Sequence, residues 1–568
     1  MAKDLYEVLS EERKELQDKG LMPTWYSTGG WQLFKDRYLY QADNPLEQYT
    51  RIANTAARYV EGKLPHPEGK SWSEVFLNLL WSGTLSASTP ILANMGTERG
   101  LPVSCSGQYI EDSIDGIYAA RRETAILTKH GFGTAGYFAI RGRGEDISVG
   151  GKSSGTLPVF ESFVEDMKYV AQGTARRGAF AGYIEIDHKD FYELSHHIEQ
   201  NPEDANIGWI ISQDFIDKLN SGCEESLKRF QRAMKLKMIT GKGYYFFKDK
   251  ANNQRPAMYK DLGLMIESPQ LCNEIMLHSS PEYTYTCVLS SMNMSIYDDW
   301  KDSNAVFEAT VFLDCVAEDF IQRGSKISGL EKAVAFTEKS RALGLGACGL
   351  HTLFQKRGFA FEGFEAHMLN TEVFEHMKVE SEKASKYMAE HLGEPEWCEG
   401  YGVRNTHIRA VAPTKSTALI MGGISEGINP DPAMTYTQMT AAGEVNRMNP
   451  VLIDVMQAKG VYTKANIQQV IDDKGSVQSV DWLTDEEKLV FKTAFEIDQK
   501  AILRLGSIRQ TKLDQGQSLN LFFSSEEKEE VIAEVHQEAF EDPNINGLYY
   551  CYSKRGVTAS KGECLACQ

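Results

Sequence analysis

Two short stretches of the chain carry side chains that could share a reaction. In "SPQLCNEI" the thiol of Cys272 is followed two positions later by the carboxylate of Glu274. On an extended segment, residues two apart point to the same side, so both groups would face one substrate. A surface pair without chemical consequence has the same spacing. The second stretch, "GECLACQ", ends the chain with Cys564 and Cys567, behind a "YSKRGVTASK" too polar to pack. Zinc would need a second ligand pair at matching spacing, and the sequence nearby offers none; metal ligands are assigned to none of these residues.

The remaining cysteines divide by context. Cys105 in "LPVSCSGQYIEDS" and Cys287 in "YTYTCVLSSMN" stand in strand-like or loop segments with polar neighbours. Cys315 and Cys348 fall on apolar faces of helical patterns and read as small buried hydrophobes, while Cys223, Cys398 and Cys551 read as structural. Tyr549 and Tyr550 in "INGLYYCY" would face opposite ways on a strand, one buried and one exposed. His130 and His351 read as core or surface residues rather than ligands.

The elements that must position these groups follow from composition and periodicity. The chain has 568 residues, 42% hydrophobic and 24% charged, with ten cysteines and a net charge of −19. That is globular composition, with too few cysteines for a secreted disulfide framework. The acidic balance disfavours nucleic-acid binding, which relies on Lys and Arg at phosphates. No run approaches a membrane span, and the charged N-terminus is no signal peptide, so a cytoplasmic protein without a membrane partner is expected. Residues 1–75 predict a helical segment, broken at Pro65, Pro67 and Gly69. From 76 to 523, helical stretches such as "GTLPVFESFVEDMKYVAQ" alternate with strand-like "YIEID" and "GWIIS" before helix returns, which predicts an α/β core. Residues 524–552 form a further region, and 553–568 a flexible tail.

Taken together and in order, eleven segments resemble the large subunit of class I ribonucleotide reductases. They are "STPILANMG", "SCSGQYIEDSIDGI", "GFGTAGYFAIRGRG", "AQGTARRGAFAGY", "LCNEI", "CVLSSMNMS", "ALGLG", "APTKSTA", "DQGQSLNLF", "GLYY" and the terminal dithiol. The resemblance implies a ten-stranded α/β barrel, two five-stranded parallel halves packed antiparallel, with a finger loop holding Cys272 at its centre. It implies reduction of ribonucleoside di- or triphosphates to 2′-deoxyribonucleotides.

In that family's terms Cys272 is the thiyl radical that abstracts the 3′-hydrogen, and Glu274 the general base on the 3′-hydroxyl. Cys105 and Cys287 are the reducing thiols that finish as a disulfide. Cys564 and Cys567 carry electrons inward to that disulfide, recharged by thioredoxin or glutaredoxin. A tail of that length reaches tens of ångströms when extended. Tyr550 and Tyr549 relay the radical from a metal-containing partner subunit, so no cofactor is bound covalently here. Pro413, Thr414, Lys415, Ser416, Thr417 and Ala418 would hold substrate phosphates at a helix N-terminus, with Thr89 and Ser104 as further substrate contacts. Asp112, Arg141, Gln172 and Arg176 would bind a deoxynucleoside triphosphate specificity effector at a homodimer interface.

The chain departs from the family in places. Gln270 stands where the family carries Asn, one methylene longer, and its amide can still reach a ribose hydroxyl. The loop "GFGTAGYFAIRGRG" carries an extra residue, and the stretch up to residue 75 leaves no room for the N-terminal ATP cone of many relatives, so a compact type is expected. An adenosylcobalamin-dependent reductase would not need the tyrosine pair. "GLGACG" satisfies G-x-G-x-x-G, but a charged helical segment precedes it, so the dinucleotide fingerprint lacks its strand. "VGGKSS" lacks the first glycine of a P-loop, Asp146 standing there. A binding protein on a dead reductase fold would lack Cys272, Glu274 or a tyrosine of the pair.

Overall fold

The structure, a computed structural model, describes residues 5–170, 178–440 and 443–553. Helices Leu5–Asp18, Thr28–Arg37, Pro45–Ala57 and Trp72–Trp81 precede the first strand. The third begins where Asn44 accepts the Glu47 amide at 3.1 Å and Pro45 presets the first turn. Its Tyr49, Ile52, Ala53 and Ala56 lie at helical spacing on one buried face.

Strands β1 (Leu85–Ala87), β2 (Cys105–Ile110), β3 (Gly133–Phe138), β4 (Phe180–Glu185), β5 (Ile207–Ile211) and β6 (Tyr244–Phe247) follow. β2 to β6 lie side by side, all parallel. Parallel neighbours need long crossovers, and helices fill them: Ile114–Lys129, Thr156–Tyr169, Phe191–Gln200, and the pair Gln213–Asn220 and Glu224–Thr240. Covered on both faces, "IGWII" and "YYFF" are buried throughout.

Strand β7 (Tyr285–Asn293) reverses the direction. It is antiparallel to β1 and β2 and parallel to β8 (Leu343–Cys348). After β8 come the hairpin β9 (Thr435–Thr440) and β10 (Gly443–Met448), then β11 (Leu521–Phe523), β12 (Gly547–Leu548) and β13 (Cys551–Ser553). The Leu343 and Leu345 amides donate to the carbonyls of His407 and Ile408, and Val411 bridges Gln517. β11 pairs with β13, and β12 returns antiparallel to β6. The hydrogen-bonded path therefore closes into the barrel, its second half made of β7, β8 and the segments 407–411, 515–523 and 547–553. Of these, 515–523 turns part of its hydrogen bonding inward, to the loop the barrel encloses.

Two local expectations change. Cys348 ends a buried strand, not a helix, because "LGLGAC" lies in the wall of the barrel. A Cβ on Gly346 would sit 2.4 Å from the Ala410 carbonyl, so this glycine serves close strand packing, not a phosphate. Among the described residues no helix is long and apolar enough to cross a membrane.

Candidate active site

Between the helix Ala257–Asp261 and β7, residues 262–284 contain neither helix nor strand, yet 268–277 are buried throughout. Their middle is a tight loop built on Gln270. Its amide nitrogen donates to the Ile275 carbonyl at 3.1 Å, and its side-chain oxygen accepts the Ile275 amide at 3.0 Å. Asn273, between Cys272 and Glu274, takes a left-handed φ of 69°, which Asn tolerates better than most residues. The thiol and carboxylate are thus presented by a turn, not by an extended strand. Both are buried.

Each half of the barrel grips this loop. From the parallel half, the Tyr183 hydroxyl donates to the Gln270 carbonyl at 3.0 Å, and Asn273 Nδ2 donates to the Tyr245 carbonyl at 2.9 Å. From the other half, Ser518 Oγ donates to the Cys272 carbonyl at 2.7 Å and to Glu274 Oε2 at 3.0 Å. The Gly516 amide donates to the Glu274 carbonyl at 2.8 Å, and Gln515 Oε1 accepts the Met276 amide at 3.2 Å.

Cys105 and Cys287 are direct partners where β2 meets β7. Gln270 Nε2 lies 3.8 Å from Cys105 Sγ, and Gln515 Nε2 lies 3.8 Å from Cys287 Sγ. The two amides therefore hold one thiol each. Burial pushes the Cys287 thiol well up, against the opposing effect of the Gln515 amide, so it stays protonated at neutral pH. The longer side chain at 270 brings its amide to Cys105 while its oxygen stays engaged in its own loop.

Tyr549 and Tyr550 are both buried, at 1% and 4% exposure, not one in and one out. They fall between β12 and β13, where the chain changes partner from β6 to β11. Their ring centroids are 4.3 Å apart, and Tyr244 lies 4.7 Å from Tyr549. A Cβ on Gly547 would meet Asn273 Nδ2 at 2.4 Å, so the tyrosine segment presses on the cysteine loop. Cys105, Cys272, Cys287, Tyr244, Tyr549 and Tyr550 belong to one buried cluster. Beneath the pair, the Lys237 ammonium donates to the Tyr549 carbonyl, and burial lowers its pKa to about 8.

The segment from Pro413 opens the helix Lys415–Ile420 through a left-handed Thr414, φ 57°. The Thr414 hydroxyl accepts the Gly427 amide at 2.8 Å. Ser416, Thr417 and Ala418 are buried, and Thr417 lines a small cavity with Ala87 and Leu92. Thr89 begins the helix Thr89–Asn94, and Ser104 Oγ donates to Ser88 Oγ at 3.1 Å, so both candidates lie at the β1 side of Cys105.

Asp112 and Arg141 follow the C-terminal ends of β2 and β3 and pair at 2.6 Å, each about one-third exposed. They lie about 20 Å along the strand direction from Cys105, at the strand ends where open parallel sheets take ligands. Arg141 also donates to the Asp146 carbonyl at 2.6 Å. Gln172, Arg176, Cys564 and Cys567 lie outside the described residues. Sequence reasoning missed Ser518, Gln515, Tyr183 and Lys237, although Ser518 and Gln515 sit inside "DQGQSLNLF" and Tyr183 ends "AQGTARRGAFAGY".

Fold and site together define a barrel enzyme that encloses one loop cysteine beside a cross-strand pair of thiols. The family model described as ribonucleotide reductase, barrel domain, matches residues 103–231, 225–400 and 394–551, and that described as ribonucleotide reductase, all-alpha domain, matches 24–100. The chain belongs to the ribonucleotide reductase large-subunit family, oxidoreductases of deoxyribonucleotide synthesis. It is 32% identical over 520 residues to a putative ribonucleoside-diphosphate reductase large subunit of Frog virus 3, covering 86% of this chain and 90% of that one. It is 26% identical over 612 residues to the ribonucleoside-diphosphate reductase large subunit of Invertebrate iridescent virus 3, covering 94% of each. Among solved structures it resembles the Actinobacillus ureae class Id ribonucleotide reductase alpha subunit, with TM-score 0.85, 34% identity and coverage of 96% and 99%.

Proposed function

We propose that the chain reduces ribonucleoside diphosphates as a class I catalytic subunit, with Cys272 as the radical centre. The Cys272 thiyl takes the 3′-hydrogen atom, forming S–H and a carbon radical. Glu274 accepts the 3′-hydroxyl proton, and the 2′-oxygen leaves as water. Cys105 and Cys287 supply two electrons and two protons and become a disulfide; the S–H of Cys272 then returns hydrogen to C3′. The balance is one ribonucleotide and one dithiol in, one deoxyribonucleotide, one water and one disulfide out. The observation that carries this reading is the direct opposition of Cys105 and Cys287 beside the enclosed loop.

The roles around this centre follow. Residues 413–418, with Thr89 and Ser104, hold the substrate; first-turn amides and a helix dipole suit its phosphates. Tyr550 and Tyr549 carry the oxidising equivalent from a radical-generating small subunit, whose metal supplies the oxidant. Cys564 and Cys567 re-reduce the barrel disulfide and are recharged by thioredoxin or glutaredoxin. Asp112 and Arg141, with Gln172 and Arg176, form the effector site of a homodimer.

The test is conversion of radiolabelled cytidine diphosphate with dithiothreitol and, in turn, nothing, adenosylcobalamin, or a metal-loaded partner subunit. Turnover only with the partner, lost in Tyr550→Phe, is expected. Turnover with cobalamin alone would overturn the class I assignment.

A further inference from the structure

The line of aromatic rings does not end at Tyr550. Tyr552 in β13 has its ring centroid 5.6 Å from that of Tyr550 and stacks on Phe522 of β11 at 5.1 Å and 14°. The stack follows from register, because Phe522 is the partner of Tyr552 in the parallel ladder. Tyr549 and Tyr550 are buried while Tyr552 is half-buried, so three tyrosines in successive contact run from the core to the surface. Tyr550 packs inward on the fully buried Tyr244, 5.4 Å away, and outward on Tyr552, the one ring of the three with substantial exposure. The Lys415 ammonium stands 6.0 Å from the Tyr550 ring and 5.9 Å from that of Tyr552. A cation at equal distance acts on both rings alike and leaves little electrostatic bias between them.

We propose that Tyr552 is a third redox-active tyrosine, the one that receives the oxidising equivalent from the partner subunit and passes it to Tyr550. This rests on the relay reading of Tyr550 and Tyr549. A tyrosyl radical of the partner takes one hydrogen atom, electron and proton together, from the Tyr552 hydroxyl and becomes a phenol. The Tyr552 phenoxyl regains its O–H from Tyr550, Tyr550 from Tyr549, and Tyr549 from the Cys272 thiol. One phenol on the partner and one thiyl here are the net result, and the same steps reverse after turnover.

The experiment uses the full chain with its radical-loaded partner and cytidine diphosphate. Tyr552→Phe keeps the stack on Phe522 but removes the hydroxyl, and its turnover falls to the level of Tyr550→Phe. In a separate variant, 3-aminotyrosine at position 552, which is easily oxidised, traps the equivalent as an aminotyrosyl radical seen by electron paramagnetic resonance. Both results are required. Turnover retained in Tyr552→Phe, or no radical at position 552, overturns the proposal while Tyr550→Phe remains inactive. Activity in Tyr550→Phe would instead remove the relay on which it rests.

Discussion

Cys105 and Cys287 face each other across the one antiparallel junction that joins the parallel half of the barrel to β7. Opposed residues in such a ladder hold their Cα atoms about 4.5–5.5 Å apart, within the roughly 4.4–6.8 Å span of a disulfide. The strands that carry the thiols can therefore stay in place as the bond forms and breaks.

A pre-reduced chain given partner and substrate but no external reductant is expected to accumulate a Cys105–Cys287 disulfide. Peptide mapping by mass spectrometry after the burst checks this. Cys287→Ser should yield no deoxyribonucleotide, while its melting temperature stays near that of the parent.

Ser518 ties the Cys272 carbonyl and the Glu274 carboxylate to the far half of the barrel. Ser518→Ala is expected to lower kcat about 10- to 100-fold, the equivalent of about 1.5–3 kcal/mol for a hydrogen bond to a charged group. KM should change little, since the hydroxyl is fixed to the loop. Steady-state kinetics with saturating partner decide it.

Gly547 leaves room for the Asn273 amide and for nothing else. Gly547→Ala should push Asn273 off the Tyr245 carbonyl, at an overpacking cost of about 1–3 kcal/mol. Turnover and melting temperature should fall together; an unchanged kcat would show that the tyrosine segment does not set the cysteine loop.

Glu123, on the helix Ile114–Lys129, is buried with one oxygen accepting from Thr284 and the other without a partner among the described residues. Burial raises its pKa from 4.5 to about 7. Below pH 4.5 the group is neutral folded or unfolded. Between 4.5 and 7 the folded chain holds the extra proton, so stability falls as pH rises, and above 7 the full penalty of about 3 kcal/mol applies. Glu123→Gln should therefore melt higher than the parent at pH 8, with the difference vanishing near pH 4.5. Thermal scans across that range test the sign.

Several features were legible from spacing alone: the strands "YIEID" and "GWIIS" and the helix after Asn44. The opposition of Cys105 and Cys287 was not, because register between distant strands leaves no local mark. Nor was the role of Ser518, which acts across 246 positions on Cys272. The strand rule misplaced Tyr549 and Tyr550: the chain leaves one ladder and joins another at these residues, so both rings turn inward. Asn273 likewise defeats the extended-segment argument, and its left-handed turn brings thiol and carboxylate to one site by another route.

The most direct test of the account is product formation by Cys272→Ser beside the parent chain, with radical-loaded partner, dithiothreitol and cytidine diphosphate. Serine fits the same buried turn, but its O–H bond is too strong to yield a radical that the tyrosines can form. The account predicts an intact fold and no deoxycytidine nucleotide. Product at a rate comparable to the parent would show that the reaction does not pass through this cysteine.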